Sequence, residues 1–195
     1  MLPLPPLTVF DVETTGLDPL RGHRIIEIAG IRMENGVIVE EKNFVSLVNP
    51  EREIPSEARQ VNKISDDDVK TAPTIDIVLP QFLEFTKGTT LVAHNAQFDM
   101  GFLETEKRYC WGFLDLPECL CTLTLSRNLY PSDFRHSLDV LCKRFNLEMP
   151  TDRHRALADV ILTATALQRM LETGKVTSFE DLKKRAGVRV AAAKG

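Results

Sequence analysis

The run Leu7-Thr8-Val9-Phe10-Asp11-Val12-Glu13 constrains the fold more than any other part of this chain. Its β-branched and aromatic residues suit a buried strand, yet two carboxylates interrupt it near its end. Residues i and i+2 of a strand point to the same side, so Asp11 and Glu13 project together from the end of a core element. Two like charges held so close repel unless something cationic lies between them. A divalent ion bound by oxygen ligands is the economical explanation, and an exposed edge strand with two solvated acids is the plain alternative. The turn that follows, Thr14-Thr15-Gly16-Leu17-Asp18-Pro19, is rich in glycine, proline and hydroxyl groups, as a strand exit should be.

Extended segments near 7–13, 24–33 and 37–48 open the chain, the last two joined by Glu34-Asn35-Gly36, a hairpin turn signal. Residues 50–55 read as a loop, and Ser65 followed by Asp66, Asp67 and Asp68 reads as the start of a short helix. Helical periodicity returns over 74–86 in Ile75, Val78, Leu79, Phe82 and Leu83, across Pro80. Leu91-Val92-Ala93 is a short strand, after which Asn95 is placed to cap a helix running to about Arg108. A strand near 119–121 leads into a helix at 122–129, and Ser137 to Phe145 is helical. A long helix from Arg155 to Leu171 turns Leu157, Val160, Ile161, Ala164, Leu167 and Leu171 toward the core. Strands first, then strands alternating with helices, indicate an α/β fold with a mixed sheet flanked by helices. Residues 1–172 are expected to form the domain, and 173–195 a polar C-terminal tail with one short helix near 178–187.

At 195 residues the chain suits a single domain with a substantial core. No run approaches the roughly 18 apolar residues that cross a bilayer, and the start Met1-Leu2-Pro3-Leu4-Pro5-Pro6 lacks the pattern of a secretion signal. A cytoplasmic protein without a membrane partner is expected. The four cysteines, Cys110, Cys119, Cys121 and Cys142, form no zinc-like spacing and read as reduced, mostly buried thiols. A net charge of −4 argues against coating nucleic acid by bulk electrostatics, while leaving room for an enzyme that grips a few nucleotides at one site.

Two further acids fall at telling places. Asp99 lies in the first turn of a helix, within His94-Asn95-Ala96-Gln97-Phe98-Asp99. Asp159 lies in the long late helix, within His154-Arg155-Ala156-Leu157-Ala158-Asp159, on a face shared with the small residues Ala156, Thr163 and Ala166. Small neighbours let a helix approach a sheet closely, so this carboxylate can reach the strand that bears Asp11. Taken singly, either acid is also an ordinary helix-start or surface residue.

Asp-x-Glu-Thr-Thr-Gly-Leu, then His-Asn-Ala-x-Phe-Asp, then His-x-Ala-x-x-Asp, in that order, resembles the DnaQ-like 3′–5′ exonucleases of the DEDDh branch, which carries four acids and a histidine. The resemblance runs from about residue 7 to 171 and includes His136-Ser137-Leu138-Asp139. It implies an RNase H-like (exonuclease) fold with a mixed five-stranded sheet flanked by helices. It also implies that Asp11, Glu13, Asp99 and Asp159 hold two divalent ions, Mg²⁺ or Mn²⁺, and that His154 is the general base. The chemistry agrees, because hydrolysis of a phosphodiester needs an activated water, neutralised phosphate charge and relief for the departing oxygen. Carboxylates are hard donors suited to these ions rather than to zinc.

An imidazole titrates near ~6.5, close to neutral pH. Five helical residues turn through roughly 140°, so His154 and Asp159 do not share a helix face, and His154 belongs in the loop just before the helix. Thr14, Thr15, Gly16, Leu17 and Phe98 are expected on the terminal nucleotide, with Leu17 wedged against the last base and Phe98 lining its pocket. Where the proofreading branch of the family has Glu-Ala-x-x-Val-His-Gly-Ile, this chain has Glu57-Ala58-Arg59-Gln60-Val61-Asn62-Lys63-Ile64. Glu57 and Asn62 are therefore expected at the substrate, Asn62 as a weaker replacement for the histidine. The implied activity is release of 5′-mononucleotides from single-stranded or frayed DNA 3′ ends, in proofreading or repair, with a replicative DNA polymerase as a potential partner. RNA is the alternative substrate, and a non-catalytic polymerase or nucleic-acid adaptor is the alternative class.

Overall fold

The structure is a computed structural model that describes residues 3–112, 114–150 and 154–189. The opening segment is strand β1 (Leu7–Thr14), followed by the hairpin of β2 (Ile25–Glu34) and β3 (Val37–Leu47). Asn35 and Gly36 both take positive φ, 50° and 77°, the geometry that a tight hairpin turn requires. Three helices follow: α1 (Ser56–Asn62), α2 (Asp66–Val69) and α3 (Ile75–Phe85). Ser65 and Asp68 cap α2 reciprocally, as the Ser-x-x-Asp spacing allows. Helix α3 runs through Pro80, held by the burial of Ile75, Val78, Leu79 and Phe82.

The chain continues as β4 (Thr90–Ala93), α4 (Ala96–Glu106), β5 (Cys119–Cys121), α5 (Thr122–Leu129), α6 (Leu138–Arg144), α7 (Ala156–Thr173), α8 (Phe179–Ala186) and β6 (Val188–Arg189). The sheet order is β3-β2-β1-β4-β5-β6. The hairpin strands run antiparallel beside β1, whereas β1, β4 and β5 are mutually parallel. This is the mixed sheet that the element order implied, with the five strands of the RNase H-like fold that the family resemblance implied and a two-residue sixth strand added at one edge.

Each face of the sheet carries its own core. On one side Leu7, Val9, Ala29 and Ile31 pack against Val160, Ala164 and Leu167 of α7. On the other, Phe10, Val12 and Ile28 pack against α3 and α4. The alternation of β1 therefore puts Asp11 and Glu13 in the row that begins Leu7 and Val9, facing α7. The expected inward face of α7 needs one correction. Ile161 is 44% exposed, because the buried arc is centred on Ala156, Asp159, Thr163 and Ala166 and Ile161 falls outside it.

Within the polar segment after residue 172, the expected short helix is α8. Leu182 and Ala186 are buried in the α7 core, so this part is docked rather than trailing. Residues 1, 2 and 190–195 lie outside the described residues. Among the described residues no helix is long and apolar enough to cross a membrane.

Candidate active site

At the C-terminal end of β1 the half-buried Asp11 and Glu13 face the first turns of α7. Ala156, Thr163 and Ala166 are all buried at that contact, and their small size brings the helix close. Asp159, the fourth residue of α7, is also buried and reaches the same place. One oxygen from each of Asp11, Glu13 and Asp159 lies within 4.8 Å of the others. Three carboxylates so close have no electrostatic reason to gather in water, and a hard divalent cation is the group that such an all-oxygen donor set fits. Divalent metal use is also what the family implies.

Asp99 arrives from the other side. It is the fourth residue of α4 and 2% exposed, and its Oδ1 accepts the Val12 amide at 3.2 Å. The pairing of β1 with β4 stops at Val9, so the Val12 amide lies beyond the last parallel rung. Burial pushes the Asp99 carboxyl up from 3.8 to about 7, opposed by hydrogen bonds from its own amide and that of Val12. Asp99 thus touches the same strand, one residue from Asp11, but stands outside the group of three. Asn95 occupies the N-cap position of α4 at φ 65°, and its side chain makes no capping bond. In that left-handed conformation its carbonyl instead accepts the Phe98 amide at 2.8 Å.

His154 sits in the turn before α7, exposed, with φ 71°. A non-glycine residue in this region is strained and persists where its surroundings hold it. The next two residues are held firmly. Glu27 of β2, buried and paired in register with Glu13, accepts Arg155 Nε at 3.1 Å, Arg155 Nη2 at 2.6 Å and the Ala156 amide at 2.9 Å. Sequence reasoning missed Glu27, although a lone carboxylate inside Ile25-Ile26-Glu27-Ile28-Ala29 was the same signal that marked Asp11.

The loop after β1 is tightly built. Thr14 Oγ1 donates to the Gly16 carbonyl at 2.7 Å, and Thr15 Oγ1 accepts the Arg24 amide at 2.9 Å. Gly16 lies against the His23 ring, where an added Cβ would stand 2.6 Å from its atoms. His23 Nδ1 in turn accepts the Asp18 amide at 3.1 Å. Leu17 is 83% exposed and, with Asn95, Phe98 and Gly101, lines an open groove of about 470 Å³. Glu57 is exposed in the first turn of α1. Asn62 is 2% exposed and already engaged, donating to the Thr14 carbonyl at 3.3 Å and accepting the Ile64 amide at 3.1 Å. Through these bonds it braces the end of β1.

A family model described as an exonuclease matches residues 8–167. The chain belongs to this exonuclease family. It is an exonuclease, the activity class that the ordered acidic motifs implied. It is similar to the DNA polymerase III subunit epsilon of Rickettsia prowazekii (strain Madrid E), 40% identical over 181 residues, which cover 90% of this chain and 78% of that one. Among solved structures it is similar to exonuclease X in complex with 5′ overhanging duplex DNA, with 31% identity and TM-score 0.70, covering 93% and 99% of the two chains. The nuclease domain of 3′hExo, a DEDDh family member bound to rAMP, shares the fold at TM-score 0.75, 19% identity and 97% coverage of both chains. In this exonuclease the motif residues thus fall at the end of β1 and the starts of the two helices that flank it.

Proposed function

We propose that this exonuclease removes 5′-mononucleotides from single-stranded or frayed DNA 3′ ends, using Asp11, Glu13, Asp99 and Asp159 to hold two ions, Mg²⁺ or Mn²⁺. The observation that carries this reading is the gathering of three carboxylates within 4.8 Å at the end of β1. Divalent cations held there supply positive charge against the scissile phosphate and the departing 3′ oxygen. An unprotonated ring nitrogen of His154 accepts the proton of the attacking water, from an exposed turn that leaves the ring accessible. The Thr14–Gly16 backbone and the Leu17 and Phe98 side chains hold the terminal nucleotide, apolar contact being indifferent to base identity. Glu57 lies on the exposed rim of the same reading, and Asn62 supports Thr14 from beneath. The likeness to an epsilon subunit supports a proofreading role beside a replicative polymerase in the cytoplasm.

The test is a time course on end-labelled DNA and RNA of one sequence, with Mg²⁺, Mn²⁺ and EDTA arms. Stepwise shortening of DNA from the 3′ end, stopped by EDTA, is expected. Faster loss of RNA would overturn the substrate assignment, and cleavage in EDTA would overturn the metal. His154→Ala should lower kcat by about 10²–10⁴-fold while Mn²⁺ binding persists. Full activity of that variant in Mg²⁺ would remove His154 from its role.

A further inference from the structure

Glu27 is a carboxylate paired in register with Glu13 that the four proposed ligands do not include. It stands opposite Glu13 in the β1–β2 register, on the face covered by α7. Its side chain is 2% exposed, against 39% for Arg155. Both its oxygens are occupied by the start of α7, one by Arg155 Nη2 and the other by Arg155 Nε and the Ala156 amide. Arg155 in turn feels Glu13 and Asp68 as well as Glu27, and together they hold its guanidinium above its ordinary value. An ion pair with one partner this exposed adds little net stability. What it does fix is direction. The bidentate fork allows one orientation of Arg155, and the third bond pins the first helical amide, so the chain just before them enters α7 along one path.

His154 is the residue on that path, exposed and held at φ 71°. We infer that the Glu27–Arg155 pair is a positioning device for His154, fixing the backbone from which the imidazole reaches the attacking water. The pair acts through His154, and the inference rests on the general-base reading of that residue. Neither partner is among the proposed metal ligands or nucleotide contacts.

The experiment is a double-mutant series. Glu27→Gln and Arg155→Gln are made in the native chain and in His154→Ala, and single-turnover rates on end-labelled DNA are measured with enzyme in excess and Mn²⁺ present. Thermal melting and Mn²⁺ binding are followed in parallel. In the native chain each change is expected to lower the rate about 10–100-fold, the usual range for groups that orient a functional side chain. KM and Mn²⁺ affinity stay near native, and Arg155→Lys recovers only part of the loss because it lacks the fork. In the His154→Ala background the same changes should cost almost nothing more.

Losses that multiply in that background overturn the positioning role, as does a fall in Mn²⁺ affinity that matches the fall in rate. Should Glu27→Gln not fold, Arg155→Gln on the more exposed side carries the test. Full activity of His154→Ala alone overturns the general-base reading and this inference with it. An inactive His154→Ala with multiplying losses overturns only the inference.

Discussion

Helices α4 and α7 begin with the same short phrase, Ala-x-x-Asp, as Ala96-Gln97-Phe98-Asp99 and Ala156-Leu157-Ala158-Asp159. Each follows closely on a non-glycine residue at positive φ, Asn95 in one case and His154 in the other. Each places its aspartate fourth in the helix and sends it to the end of β1. The outcomes differ because the two faces of that strand differ. Helix α7 meets the face that bears Asp11 and Glu13, and Asp159 joins them within 4.8 Å. Helix α4 meets the opposite core, where the Val12 amide is on offer, and Asp99 takes it and is raised to about 7. One local sequence thus adds a carboxylate to the acidic group on one side and makes a buried, amide-bound carboxyl on the other. The strand decides, not the helix.

The largest effect should come from Asp159→Asn, which removes a donor from the group of three. We expect kcat to fall by about 10³-fold or more, equivalent to several kcal/mol of lost charge stabilisation, with weaker Mn²⁺ binding measured by titration. A variant that keeps native Mn²⁺ affinity would break the contrast between the two helices.

A smaller, pH-dependent effect should single out Asp99. Its folded value is raised, so the folded state prefers the protonated acid. The resulting stability is fully present below about 3.8 and is lost as pH climbs through about 7. In EDTA, Asp99→Asn should therefore gain melting temperature relative to the native chain at pH 8 and gain little at pH 4. An equal change at both pH values would show that burial is not what distinguishes this carboxyl.

The third helical position gives the smallest effect. It is Phe98 in α4, lining the groove with Leu17, and the buried Ala158 in α7. Phe98→Ala should raise KM for oligonucleotides by about tenfold, at ~1–3 kcal/mol for a lost stacking platform, while kcat holds. A kcat loss with native KM would instead place Phe98 in support of Asp99.

Much of this was legible in the letters. Asp11 and Glu13 stood out because strand alternation and burial conflict at those positions. The small residues around Asp159 announced a close helix, and the five-residue offset put His154 in the preceding turn. What stayed hidden depends on long-range register. Nothing in the sequence says that Glu27 lies opposite Glu13, or that α7 starts above it, so the Arg155 clamp was invisible. Asn62 looked like a substrate ligand by its motif position, and the letters gave no sign that its amide bonds to Thr14 and Ile64, across 48 residues in the first case. Ile161 was misplaced because an apolar residue one step off the buried arc satisfies a periodicity count without being buried.

The contact between Gly16 and His23 restricts how this family member can vary. The imidazole fills the volume that any β-carbon at position 16 would need, so position 16 cannot gain a side chain while the His23 ring keeps its place. Randomising position 16 alone should return glycine almost exclusively. Only a library that shrinks residue 23 at the same time would open new shapes for the turn after β1.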